Sequence, residues 1–316
     1  MHQINGRPIA QKIEEKLKKQ IHTETPRLAT LKIGEDTSSI IYREVIEQAC
    51  KRLGIKSIHI DLPLDSQEKT VIKKIGELND DDTIHGILIH HPIPNHLKQQ
   101  NIIQTIAPQK DVDGLHPLNL GALLLGNEFL TPCTPAAVIK ILDHENIKLQ
   151  GKEVVIINHS PIIGKPLAIM LLNRDATVTI CHVHTQDLKE HAKKADILVT
   201  GTGVPGLITQ EYIKKESTII DIGITQLNNG TICGDVNFSS VSSKAKAATP
   251  VPGGVGPVTV ASLMENCIKT YKQKKKHKEQ KKKGITKKRD RETQRLIRNE
   301  DAPKKKIYRL LILPSL

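Results

Sequence analysis

A two-domain α/β fold is predicted by three features of this chain. Segments of helical periodicity alternate with short apolar strands from Ile9 to Ile222, the pattern of a mainly parallel sheet with helices on both faces. The 316 residues are enough for two ordinary cores, and a hydrophobic content of 38% can fill them. The run PVPGGVGPVT at 250–259 suits neither a helix nor a central strand, because proline fixes φ and removes an N–H while glycine leaves the backbone bare. It specifies a rigid, shaped loop, which either holds a ligand or makes a tight interdomain turn.

The elements follow in order. Residues 9–19 (IAQKIEEKLKK) have one apolar helical face, 28–33 read as a strand, and 40–53 as a helix ended by Gly54. A strand at 58–62, a helix at 68–78 and a buried strand at 86–90 (GILIH) come next, before a break at HPIPNH. After the loop at 109–119, Thr134 and Pro135 open a helix to about Glu145, and 153–157 (EVVII) form a fully apolar strand. A helix at 164–172 and strands at 177–181, 197–200 and 218–222 complete the order of a Rossmann-type half. The turn after 153–157 is where a dinucleotide pyrophosphate would sit, yet NHSPIIG lacks a full GxGxxG and also reads as a plain strand-to-helix turn.

Composition narrows the function classes. With no Trp, two Phe and four Tyr, the cores are packed by Ile, Leu and Val. Cys50, Cys133, Cys181, Cys233 and Cys267 are scattered without CxxC or zinc spacing, so they read as buried thiols of a reducing cytosol, and no metal site is expected. No apolar run approaches the ~20 residues that span a bilayer, so a cytoplasmic protein without membrane contact is expected. Residues 272–316 hold 18 Lys and Arg against 5 Asp and Glu, the whole of the net +13, while the other 271 residues have 29 of each. That tail reads as a disordered basic extension, either a solvated appendage or an electrostatic arm for nucleic acid or anionic surfaces.

The motifs INGRPIA, SIIY with Cys50 and Gly54 after it, GILIHHPIP, KDVDGLHPLNLG, PCTP, SPIIGKP, ADILVTGTG, IIDIGI, GDV and PVPGGVGPVTVASL occur in that order over residues 1–271. In this the chain resembles the methylenetetrahydrofolate dehydrogenase/methenyltetrahydrofolate cyclohydrolase family. The resemblance implies hydride transfer from 5,10-methylenetetrahydrofolate to NADP, with NAD as the alternative cofactor, then hydrolysis of the methenyl product to 10-formyltetrahydrofolate. It implies a folate site between the domains that uses Tyr42, Asp113 and the loop residues Pro252, Gly253 and Gly254. It further implies a cofactor site at Asn158, His159, Ser160, Gly164 and Ile224, and a homodimer.

Five positions depart from the family pattern. Ile46 stands four residues after Tyr42, where the family has lysine; that spacing puts both side chains on one helix face. Isoleucine can neither move a proton nor stabilise charge. His90 stands where the family has glutamine, so His90 either takes over part of the proton shuttle or marks a decayed hydrolytic site. Asn158 replaces a glycine, His159 replaces the arginine near the 2′-phosphate, and a serine of the same region is Val183, changes that weaken a fixed 2′-phosphate site.

The expected architecture is an N-terminal folate domain of residues 1–118 plus 258–271, a dinucleotide domain of 119–257, a cleft between them, and the tail 272–316. Three readings follow: an oxidoreductase with weak or absent cyclohydrolase, a catalytically degenerate folate-binding or scaffold protein, and a nucleic-acid binder acting through the tail.

Overall fold

A computed structural model describes residues 1–21, 24–227 and 230–298. The chain opens with strand β1 (His2–Gln3) and helix α1 (Gly6–Lys18), followed by β2 (Arg27–Ile33), α2 (Thr37–Leu53), β3 (Lys56–Leu62), α3 (Glu68–Asp80) and β4 (Gly86–Ile89). Strands β3, β2 and β4 form a three-stranded parallel sheet in that order, with Thr30 opposite His59 on one side and Leu88 on the other. Helix α2 is fixed at both ends by its sequence. Asp36 accepts the Ser39 N–H at its start, and Gly54 supplies the left-handed residue (φ 73°) at its end.

Helices α4 (Gln99–Thr105), α5 (Pro117–Leu124) and α6 (Cys133–His144) lead to the second sheet. Its elements are β5 (Glu153–Ile157), α7 (Gly164–Leu172), β6 (Thr177–Cys181), α8 (Leu188–Ala192), β7 (Ile197–Thr200) and β8 (Thr218–Asp221). A small hairpin of β9 (Thr225–Gln226) and β10 (Ile232–Cys233), then α9 (Phe238–Val241), β11 (Ala247–Ala248) and α10 (Val255–Arg298), complete the chain. The six-stranded sheet runs β1-β11-β8-β7-β5-β6 and is parallel throughout.

The first turns of α10 are central to the packing. Val255, Val258 and Ala261 join the core of the larger sheet with Ile156, Val199 and Ile4. Val260, Leu263, Met264 and Cys267 join the core of the smaller one with Leu28, Leu88 and Ile46. Asn266, buried at 2% exposure, donates its Nδ2 to the carbonyls of Val112 and Thr131, both at 2.9 Å. Asn266→Leu removes the donor of the buried Thr131 carbonyl and leaves the Val112 carbonyl with the Cys133 thiol alone, at 3.4 Å, so a loss of about 1–3 kcal/mol is expected in urea unfolding.

The structure departs from the sequence expectation in several places. Strand β1 places the N-terminus in the larger sheet, through partners two residues long that carry no periodicity. Helices α4 and α5 were not foreseen, and α10 starts at Val255, with Pro257 in the first turn where its missing N–H does no harm. The basic segment, expected to be disordered, is helical as far as Arg298: Lys, Arg, Gln and Glu are good helix formers, a preference that a burial argument overlooks. Residues 299–316, covered by the same expectation, lie outside the described residues.

Candidate active site

In open parallel sheets ligands bind beyond the carboxyl ends of the strands, where the chain leaves a central strand in opposite directions. The smaller sheet has such a point between β2 and β4. There His90 continues the ladder, its N–H donating to the Leu31 carbonyl at 2.8 Å. Ser39, in the first turn of α2, donates its hydroxyl to the His91 carbonyl at 2.8 Å and ties that helix to the loop after β4. One turn further along, the Tyr42 ring meets His90 edge-on with centroids 6.0 Å apart.

His90 is 2% exposed, and neither ring nitrogen has a hydrogen-bond partner among the described residues. Burial, with Arg43, His59 and His91 adding to it, lowers its pKa to about 4. It is a neutral imidazole at physiological pH, and a weak base there. Ile46 is wholly buried in the apolar cluster with Cys50 and Leu88, on the side of α2 that faces the sheet.

Asp113 stands in the loop between α4 and α5. Asp111 folds that loop by accepting the N–H groups of Gly114 (3.0 Å) and His116 (2.8 Å) and the Asn119 amide (2.8 Å). Gly114 has φ 72°, and a Cβ there would collide with the Thr131 backbone, so glycine is required on both counts. Burial, reinforced by the Asp111 carboxylate, pushes the Asp113 carboxyl up to about 7 against a hydrogen bond with Cys133. Burial pushes the Tyr42 phenol and the Cys133 thiol well above their ordinary ranges, and the neighbouring Cys133 and Asp113 add to the rise at Tyr42. Tyr42, Asp113 and Cys133 thus form one electrostatically coupled group, and His90 lies against its tyrosine.

The larger sheet has its own point of departure, between β5 and β7. Asn158, the first residue after β5, spans it by donating Nδ2 to the Gly201 carbonyl at 2.7 Å. Its Oδ1 accepts the Ser160 N–H (3.0 Å), the Ser160 hydroxyl (2.8 Å) and the Gly164 N–H (3.1 Å), which closes the turn into α7. A Cβ on Gly164 would collide with the Asn158 carbonyl, so helix and strand approach here as a dinucleotide turn requires. His159 is exposed beside His182, and Ile224 projects at 69% exposure from the segment after β8. Ser160 and Gly164 thus belong to one hydrogen-bonded strand-to-helix turn, with His159 and Ile224 exposed around it.

The PGGVGP loop is tied to the start of α1. Gly6 donates its N–H to the Gly253 carbonyl at 2.9 Å, Gly254 donates to Pro250 at 2.8 Å, and Gly253 has φ 104°. The hydrogen bonds of Gly253 and Gly254 thus run to Gly6 at the start of α1 and to Pro250 in the loop itself.

Several polar groups here were not singled out from sequence. Lys32, buried at 2% exposure on β2, donates to the Gly34 carbonyl (2.8 Å) and Glu35 (3.1 Å); a lysine inside the apolar strand LATLKIG was its visible signal. Asp235, wholly buried, accepts from the hydroxyls of Thr200 (2.8 Å) and Thr202 (2.9 Å) and so shapes the loop after β7. Among the described residues no group of three His, Cys, Asp or Glu is arranged to hold a metal ion, and no helix is long and apolar enough to cross a membrane.

Comparison with known proteins agrees with this layout. Residues 4–113 match the catalytic domain of tetrahydrofolate dehydrogenase/cyclohydrolase, and residues 132–275 match its NAD(P)-binding domain. The bifunctional protein FolD of Methanosarcina barkeri is 45% identical over 271 residues, which is 84% of this chain and 94% of that protein. The crystal structure of the FolD dehydrogenase/cyclohydrolase from Campylobacter jejuni superposes with a TM-score of 0.83 at 40% identity, covering 86% of this chain and 99% of that one. The Trypanosoma brucei FolD structure, complexed with NADP cofactor and inhibitor, gives a TM-score of 0.82 at 32% identity, over 86% of this chain and 97% of its own. Two family models that leave few residues of the first 271 unmatched, and relatives aligned over nearly their whole length, settle the descent: the chain belongs to the tetrahydrofolate dehydrogenase/cyclohydrolase family.

Proposed function

We propose that this chain is an NADP-dependent 5,10-methylenetetrahydrofolate dehydrogenase whose cyclohydrolase step is weak. The observation that carries the reading is the coupled group of Tyr42, Asp113 and Cys133 at the carboxyl end of the smaller sheet. A carboxyl held near pH 7 exists in both forms at working pH, so Asp113 can accept from and donate to the polar edge of a pterin. Tyr42 stays a protonated phenol and presents its ring and hydroxyl to the folate. The bound nicotinamide supplies the hydride acceptor, and the protein's own contribution to that step is chiefly positioning.

The hydrolytic step has no such support. It needs a group that moves a proton at the methenyl carbon. Ile46 offers none, and a His90 imidazole at about 4 binds a proton poorly at neutral pH, so His90 serves as a hydrogen-bonding wall of the site.

The test is an assay of purified protein with 5,10-methylenetetrahydrofolate that follows reduced nicotinamide and methenyl product together. Both signals are expected to rise with NADP, the methenyl species accumulating. His90→Gln should leave the slow hydrolysis unchanged and Ile46→Lys should raise it at least about tenfold, the scale of a restored proton-transfer group. Folate binding without turnover would favour the degenerate binding protein instead.

Two finer points belong to the same proposal. A homodimer is supported by β6, which ends the larger sheet with Leu172 and Ile180 exposed beside it. A cytoplasmic setting is supported by five cysteines that are all free thiols. The nucleic-acid reading is supported by the charge of residues 272–316 alone.

A further inference from the structure

We propose that His159, His182 and His184 read the adenosine 2′-phosphate of the cofactor through protons rather than through a fixed charge, so that this chain's preference for NADP over NAD is set by pH. The inference rests on the dinucleotide reading of the turn between β5 and α7.

The sheet brings the three imidazoles together. Ile157 and Cys181, the last residues of β5 and β6, are in register, so the segments leaving the two strands start side by side. His159 on the first and His182 on the second have ring centroids 4.9 Å apart at 53°, and the His184 ring lies 6.0 Å from His182. His159 and His184 are exposed, and His182 is half-buried.

The end of the second strand is where dinucleotide-binding sheets read the adenosine ribose. A carboxylate there takes the free 2′-hydroxyl, and an arginine accommodates the 2′-phosphate. This chain has neither. After Cys181 come His182, Val183, His184, Thr185 and Gln186, with Asp187 the first acid. No carboxylate in that run selects NAD, and no permanent cation selects NADP.

Imidazole provides the missing charge only when protonated, and it does so between pH 5 and 8. The members of the cluster differ in role. The His182 Nδ1 accepts the His184 N–H at 3.2 Å, which places the ring proton on Nε2 and makes His182 a donor while still neutral. His159 and His184 are the exposed members, the ones that can meet the phosphate directly. Two imidazolium ions this close repel each other, and a dianion between them removes that penalty, so binding of the 2′-phosphate takes up protons while binding of NAD does not.

The charged groups on the neighbouring elements are few. Lys165 is the second residue of α7, Asp187 caps α8, and α8 itself carries Lys189, Glu190 and His191, with Lys189 paired to Glu211. The segment at 201–206, which leaves β7, has none. A phosphate monoester gains its second charge near pH 6, so from pH 7 upward the ligand is constant and only the imidazoles change.

The test is calorimetric titration of the full-length protein with NADP and with NAD at pH 6.5, 7.5 and 8.5, at each pH in two buffers of different ionisation enthalpy. The NADP-to-NAD affinity ratio is expected to fall at least about tenfold between pH 6.5 and 8.5, with net proton uptake at pH 7.5 for NADP only. His159→Arg should hold the ratio high at pH 8.5 and reduce the uptake, and His184→Gln should lower the ratio at pH 6.5. A structural role would produce neither the flattened profile nor the lost proton. A ratio independent of pH, or equal proton uptake for both dinucleotides, overturns the proposal and leaves the dinucleotide site standing. Absence of binding by either dinucleotide to folded protein overturns both.

Discussion

Gly164→Ala is expected to abolish dinucleotide binding and to destabilise the chain by about 3 kcal/mol or more. The added methyl would fall on the carbonyl carbon and oxygen of Asn158, with the Asn158 Oδ1 2.8 Å away. None of these is the loose end of a flexible side chain. The backbone atoms follow directly on β5, and the carboxamide is held by Ser160, Gly164 and Gly201. Relief requires α7 to withdraw, which breaks the hydrogen bond between Gly164 and Asn158 and loosens the tie from β5 to the loop after β7. Overpacking of this kind costs about 1–3 kcal/mol, and each lost hydrogen bond about 1 more. Gly121→Ala, on α5 where a Cβ meets nothing, is the control and should be neutral or stabilising by up to about 1 kcal/mol. Urea unfolding gives the stability term, and NADP titration under native conditions gives the binding term. Normal NADP binding by a folded Gly164→Ala protein would show that the point between β5 and β7 is not the cofactor site.

That turn also shows what the sequence made legible. The alternation of EVVII with a helix opening at Gly164 placed a strand, a turn and a helix correctly, because a fully buried parallel strand writes itself as an unbroken apolar run. The departure of Asn158 from glycine was visible too. Its work was not, since bridging to Gly201 depends on β7 lying beside β5. His182 and His184 were likewise plain in CHVH, but their relation to His159 exists only through the register of β5 with β6. Lys32 was passed over because a strand is read by its apolar majority. The two-residue strands β1 and β11 fall below the length at which any period can be counted. Composition foretold too much at the tail, where a lack of core-forming residues said nothing against local helix.

Asp113→Asn is expected to stabilise the protein at pH 8 by a few kcal/mol and to lower the kcat/KM of hydride transfer at least about a hundredfold. A carboxyl ordinarily titrates near 4, and in the folded chain burial beside Asp111 moves Asp113 to about 7. Between those values the folded state holds a proton that the unfolded state has released. Stability attributable to this group therefore falls as pH rises from about 4 to 7, by up to about 4 kcal/mol, and stays low above 7. Asp221, raised to about 6 by burial, adds the same sign over a narrower window. His90 contributes the opposite sign: its imidazole is lowered to about 4, so the unfolded chain binds the extra proton, and stability rises as pH increases from about 4 to 6.5. Those two terms are common to wild type and variant and cancel in their difference. The stability of Asp113→Asn minus that of wild type, measured by urea unfolding from pH 4 to 8.5, should be near zero at pH 4, climb through neutrality and level off above pH 7. A flat difference would mean that the carboxyl ionises as readily folded as unfolded, and Asp113 would then lack the two-form chemistry by which it reads a pterin. A climbing difference together with lost turnover would mark Asp113 as a group kept for function against its effect on the fold, which is the behaviour expected of a carboxylate buried for chemistry and not for stability.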